Sequence, residues 1–141
     1  MKKILIAIDD GPAAGKIAST GFQLGKQLNA EIALLSVVDD RAIMTDSGIV
    51  PGELAALIKK DFIKSQQMII DTVFKDYKVW TFVEEGKPGE TIIRVAKEWE
   101  ADLVVLGTHG RTGLLHVLMG SIAENVIRHS SIPVLIIPTK P

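Results

Sequence analysis

Gly107-Thr108-His109-Gly110 follows an apolar run directly, and after nine intervening residues comes Gly120-Ser121, giving the pattern G-x2-G-x9-G-S. The chemistry this spacing suits is anion binding. A helix that begins at Ser121 offers unpaired N–H groups and a partial positive charge. Gly120 carries no Cβ to keep the backbone away from a phosphate. Ser121 adds a hydroxyl, Arg111 adds a cation suited to phosphate, and Gly107 and Gly110 allow a sharp turn beneath the ligand.

Taken singly, Gly107, Gly110 and Gly113 read equally well as turn glycines. Ser121 also reads as a helix N-cap, because Ser121-Ile122-Ala123-Glu124 fits a capping box. His109 alone reads as a loop histidine. The functional reading rests on glycine spacing, helix start and topology coinciding.

Other chemistries find less support. Gly11-Pro12-Ala13-Ala14-Gly15-Lys16-Ile17 has one residue too few for a phosphate loop, and Ile17 stands where Ser or Thr should hold magnesium. No G-x-G-x-x-G follows the first strand, and G-x-S-x-G is missing. His109, His116 and His129 do not lie at a recognised metal spacing. Zero cysteines exclude a disulfide scaffold, a cysteine-ligated metal and thiol catalysis. A net charge of −1 argues against a nucleic-acid coat. No run approaches the ~18 apolar residues of a membrane span, and the apolar start Ile4–Ile8 is too short for a signal peptide. The expectation is a soluble cytoplasmic protein.

The elements that must position the loop are legible from periodicity. Ile4–Ile8, Ile32–Val38, Leu103–Leu106 and Val134–Ile137 are β-branched-rich runs of the kind buried on both faces of a parallel sheet. Lys78–Glu84 is a fifth strand. Helices are expected over Ala13–Asn29, from Pro51 to about Asp76, from Pro88 to about Glu100, and over Ser121–His129. The 141 residues thus read as a single doubly wound α/β domain over 1–141. It has a five-stranded parallel sheet of order 3-2-1-4-5 and two helices on each face. In that order the winding reverses between strands 1 and 4, where ligands bind outside the carboxyl ends of the strands.

These residues resemble the universal stress protein family. The likeness rests on Gly107–Gly113, Gly120–Glu124 and Pro133-Val134-Leu135-Ile136, and extends to Lys3–Asp9, Leu34–Asp39 and Ala101–Gly107. The full glycine motif is similar to that of the ATP-binding branch. The resemblance implies that Asp9 approaches the ribose, with Ala7 and Ile8 as neighbouring wall. It implies that Val37 contacts adenine and that Leu106 and Gly107 underlie the nucleoside. His109, Gly110, Arg111, Gly120, Ser121 and Ile122 would surround the phosphates. Asp9 alternatively reads as the cap of a turn. Where the family commonly has Asp-Gly-Ser, this chain has Asp9-Asp10-Gly11-Pro12, so the second acid either repels phosphate or helps hold Mg or Mn. Asp39–Val50 would flank the adenine, with Met44 touching the ligand or only packing.

The family typically dimerises, and the wholly apolar Val134–Ile137 at a sheet edge gives a physical reason for a symmetric homodimer. The leading expectation is an ATP-binding regulatory protein of the stress response. It assigns no catalytic residue and at most slow ATP hydrolysis or self-phosphorylation at Ser121. The alternative is an enzyme, such as an adenylating one, on the same adenine-binding fold. A third is an interaction module with a vestigial loop.

Overall fold

The computed structural model describes residues 1–43, 51–109 and 119–139. The strands are β1 (Lys3–Ala7), β2 (Glu31–Asp39), β3 (Val79–Gly86), β4 (Leu103–Gly107) and β5 (Val134–Ile137). They form one parallel sheet in the order β3-β2-β1-β4-β5, as the alternating pattern predicts.

The helices are α1 (Ala14–Leu28), a one-turn α2 (Asp40–Ile43), α3 (Pro51–Ile69), α4 (Pro88–Glu98) and α5 (Ser121–His129). Strand parity divides the core between two faces. Ile4, Ile6, Ile32, Leu34 and Val105 pack with Ile17 and Ala18 of α1 and with Ile69 and Phe74 at the end of α3. Leu5, Ala33, Leu35, Val104 and Leu106 pack with Ile92, Val95 and Ala96 of α4 and with Ala123 and Val126 of α5.

Periodicity did not resolve three local features. The helical stretch expected to reach Asp76 leaves α geometry at Ile70 and runs as a π-helical turn over Ile70–Phe74, closed by the Lys75 N–H donating to the Ile70 carbonyl at 2.8 Å. The widened turn lets Ile69 and Phe74, five apart, both reach the same core. On α1, a Cβ at Gly21 or Gly25 would stand 2.6 Å from Ile6 Cδ1 or Ile32 Cδ1, so these glycines set how closely the helix approaches the sheet. Gln66 of α3 is 2% exposed, and its amide donates to Ser36 Oγ at 3.0 Å and to the Phe82 carbonyl at 3.1 Å, pinning α3 across β2 and β3.

Candidate functional site

β1 and β4 are neighbours in the sheet, and their carboxyl ends open onto α1 and α5 respectively. This is the reversal point at which doubly wound sheets leave a crevice. Asp9 lies two residues beyond β1. Its Oδ1 accepts the Gly11 N–H at 2.8 Å, so the turn-capping role of this aspartate is realised. Its second carboxylate oxygen has no hydrogen bond among the described residues. Ala7 is half-buried at the end of β1. Ile8 is 6% exposed and packs with α1, while its N–H donates to the Leu35 carbonyl at 2.9 Å. Its side chain packs in the core beside the β1 exit. Leu106, 4% exposed, is likewise core beneath α4 and α5. Val37 is half-buried near the end of β2.

The β4 exit and the α5 start are held together by backbone. The Gly120 N–H donates to the Thr108 carbonyl at 2.5 Å, and the Thr108 N–H donates to the Ile137 carbonyl at 3.0 Å. Neighbouring atoms stand close to two glycines here. A Cβ at Gly107 would stand 2.6 Å from Thr139 Cγ2 and 2.7 Å from Ile17 Cδ1. A Cβ at Gly120 would stand 3.1 Å from the Thr108 carbonyl oxygen and 3.5 Å from His109 Cα. Gly120 has φ −73° and ψ 166°, which any residue adopts, so its demand for glycine is steric. The sharp turn expected at Gly107 is not there: it closes β4 and pairs with Ile137 of β5.

The expected capping box does not form. Gly120 is the N-cap of α5, Ser121 is the first helical residue, and among the described residues no side-chain cap hydrogen bond is made there. Glu124, expected to reach back, pairs instead with Arg128 at 2.6 Å. The Gly120 carbonyl accepts the Glu124 N–H at 3.0 Å. The N–H groups of Ser121, Ile122 and Ala123 precede the first intrahelical bond and have no intrahelical partner. Ser121 is exposed, while Ile122 packs partly against the α4–α5 core. The arrangement offers donors to an anion on the side where β4 ends.

Gly110, Arg111, Gly113 and Met44 lie outside the described residues, as do residues 45–50 of the segment expected to flank the adenine. Its first residues, Asp40–Ile43, form α2. Asp39 accepts from the Arg41 backbone N–H at 3.0 Å and pairs with the Arg41 guanidinium at 2.8 Å. The guanidinium hydrogen bond chiefly holds the Asp39 carboxyl below its ordinary pKa. Among the described residues, no three His, Asp or Glu side chains converge as a metal site would need. Also among them, no helix is long and apolar enough to cross a membrane.

Residues 1–138 match the family model described as the universal stress protein family. The chain belongs to the universal stress protein family. It is 32% identical over 142 residues to universal stress protein MJ0531 of Methanocaldococcus jannaschii, covering 96% of this chain and 81% of that protein. Among solved structures it resembles protein MJ0577, with TM-score 0.86 and 32% identity, over 99% of this chain and 97% of that one. Two more distant structures share the fold. A universal stress protein in complex with cAMP has TM-score 0.67 and 19% identity, over 99% and 98% of the two chains. One from Archaeoglobus fulgidus in complex with dAMP has TM-score 0.69 and 15% identity, over 96% and 97%. Membership of the universal stress protein family accounts for the sheet order.

Thr108 and Thr139 carry no mark in the sequence pattern, yet the fold brings them together. Thr108 Oγ1 lies 3.1 Å from Thr139 Oγ1, directly above the paired ends of β4 and β5. The available signal is weak: a hydroxyl residue just past the end of each of two strands that only the fold makes adjacent.

Proposed function

We propose that this universal stress protein is an ATP-binding regulatory protein of the stress response, acting in the cytoplasm as a homodimer through β5. The observation that carries the reading is the start of α5 at Gly120-Ser121, without a side-chain cap among the described residues and set beside the β4 exit at the reversal point of the sheet. That proteins sharing this fold are found in complex with cAMP and with dAMP supports adenine-nucleotide binding. Ribose would meet the Asp9 oxygen that the turn leaves over, and adenine would lie near Val37. Phosphates would take the N–H groups of Ser121 and Ile122, the Ser121 hydroxyl, and groups from His109, Gly110 and Arg111.

A divalent cation such as Mg or Mn would draw most of its ligands from the phosphates, because the described side chains assemble no cage for it. The reading assigns binding rather than catalysis, and a regulatory output follows from nucleotide occupancy.

The test is to identify what co-purifies, then to measure ATP affinity and turnover with and without magnesium. Tight ATP binding with negligible turnover supports the reading. Rapid turnover would replace it with an enzymatic one, and no affinity for any adenine nucleotide would refute it.

A further inference from the structure

Thr139 lies two residues past β5, yet its side chain makes its contacts with the β4–α5 loop. Its Oγ1 accepts the His109 N–H at 3.2 Å, stands 3.1 Å from Thr108 Oγ1, and reaches the His109 carbonyl at 3.4 Å. In return, the Thr139 N–H donates to Thr108 Oγ1 at 3.1 Å. One proton arrangement satisfies all four contacts. Thr108 donates its hydroxyl proton to Thr139 Oγ1, which also accepts from the His109 N–H and donates its own proton to the His109 carbonyl. A hydroxyl with one donor and two acceptor sites is then fully used. The Thr139 methyl meanwhile occupies the space that a Cβ on Gly107 would need. The tail is anchored from α1 as well, since Lys16 Nζ donates to the Pro138 carbonyl at 2.8 Å.

We propose that Thr139 is a positioning residue, holding Thr108 and His109 in place beside the start of α5. The consequence for nucleotide rests on the function proposed above. The carbonyl of the same Thr108 accepts the Gly120 N–H, so the clasp is one residue from the contact that seats α5. A hydroxyl just after β5 thus fixes the two residues just after β4, from which α5 separates it in the chain.

The experiment compares Thr139→Val, which keeps the shape and removes the hydroxyl, with Thr139→Ser, which keeps the hydroxyl. Amide hydrogen exchange at His109, resolved by NMR without nucleotide, reads the clasp itself. ATP affinity by calorimetry reads its consequence. Thr139→Val should expose the His109 amide and weaken ATP by about tenfold, the scale of losing a hydroxyl's bonds. Thr139→Ser should restore both. Thr108→Val removes the opposite hydroxyl and should behave as Thr139→Val does, which covers the case that Thr139→Val folds poorly. Unchanged His109 exchange in both valine variants overturns the clasp. Loosened exchange with unchanged ATP affinity overturns its positioning role. If the parent protein binds no ATP, the function proposed above fails, while the exchange comparison still decides the clasp.

Discussion

The Gly120 N–H donates to the Thr108 carbonyl at 2.5 Å, tying the residue before α5 to the residue after β4. The contact closes the intervening loop at its base without any side chain. It also explains why Gly120 is glycine: a Cβ there would press on the same carbonyl oxygen at 3.1 Å. The backbone that closes the loop, at Gly120, is thus directly followed by the N–H groups of Ser121 and Ile122 that begin α5.

Gly120→Val should displace the Thr108 carbonyl and with it the start of α5. ATP affinity is expected to fall by more than about tenfold, the order of losing one or two charge-assisted hydrogen bonds. The far-ultraviolet circular dichroism should be unchanged, because the core lies elsewhere. Parental ATP affinity in this variant would refute the phosphate site.

Ser121→Ala separates capping from ligand contact. Ser121 is the first helical residue and caps nothing, so stability should stay within about 0.5 kcal/mol of the parent by urea titration. ATP affinity should drop by about tenfold if the hydroxyl donates to a phosphate. A stability loss of about 1 kcal/mol, typical of a lost N-cap, would contradict the geometry at Gly120.

Asp102 gives a pH dependence with a definite sign. Its carboxylate accepts the Lys2 N–H at 2.8 Å and the Lys3 N–H at 3.0 Å, and these bonds hold its pKa below the ordinary carboxylate value. A depressed folded-state pKa stabilises the fold fully above the unfolded value of about 4, and that stabilisation is lost as pH falls through the folded value. Asp102→Asn should be less stable than the parent at neutral pH, with the gap closing below about pH 4. A gap that stays constant from pH 7 to pH 3 would exclude this linkage.

Gln66→Leu should destabilise the fold by about 1–3 kcal/mol, because Ser36 Oγ and the Phe82 carbonyl lose their donor. Chemical denaturation measures it. A variant as stable as the parent would show that water replaces the amide.

β5 sits at one edge of the sheet and pairs only with β4. Val134, Leu135 and Ile136 remain partly exposed there. Sedimentation equilibrium should return a dimer mass at micromolar concentration. A monomer at every concentration tested would remove the β5 pairing.

The layout was legible in the sequence because period and burial agree in a sheet covered on both faces. Short uninterrupted runs of Ile, Leu and Val between turn residues suit strands buried on both sides, and the glycine spacing marked the β4–α5 loop. Exact ends were less legible. The π turn at Ile70–Phe74 arises from core contacts of Ile69 and Phe74 that no local pattern announces. The capping box failed because its local geometry was overruled. The Gly120 N–H is drawn to Thr108, Gly120 takes the cap position, and Glu124 is left to pair with Arg128.

The sequence by itself determined the order of strands and helices along the chain, the doubly wound class, the family, and the segment in which to look for a ligand. Tertiary structure alone decided what stands against Gly107 and Gly120, that Gly120 rather than Ser121 takes the cap position, and that Thr139 meets Thr108. The physical reason is range. Periodicity and caps act within a few residues, where propensity is readable. A Cβ clash or a hydroxyl bond between residues 31 apart exists only after β4 and β5 have paired.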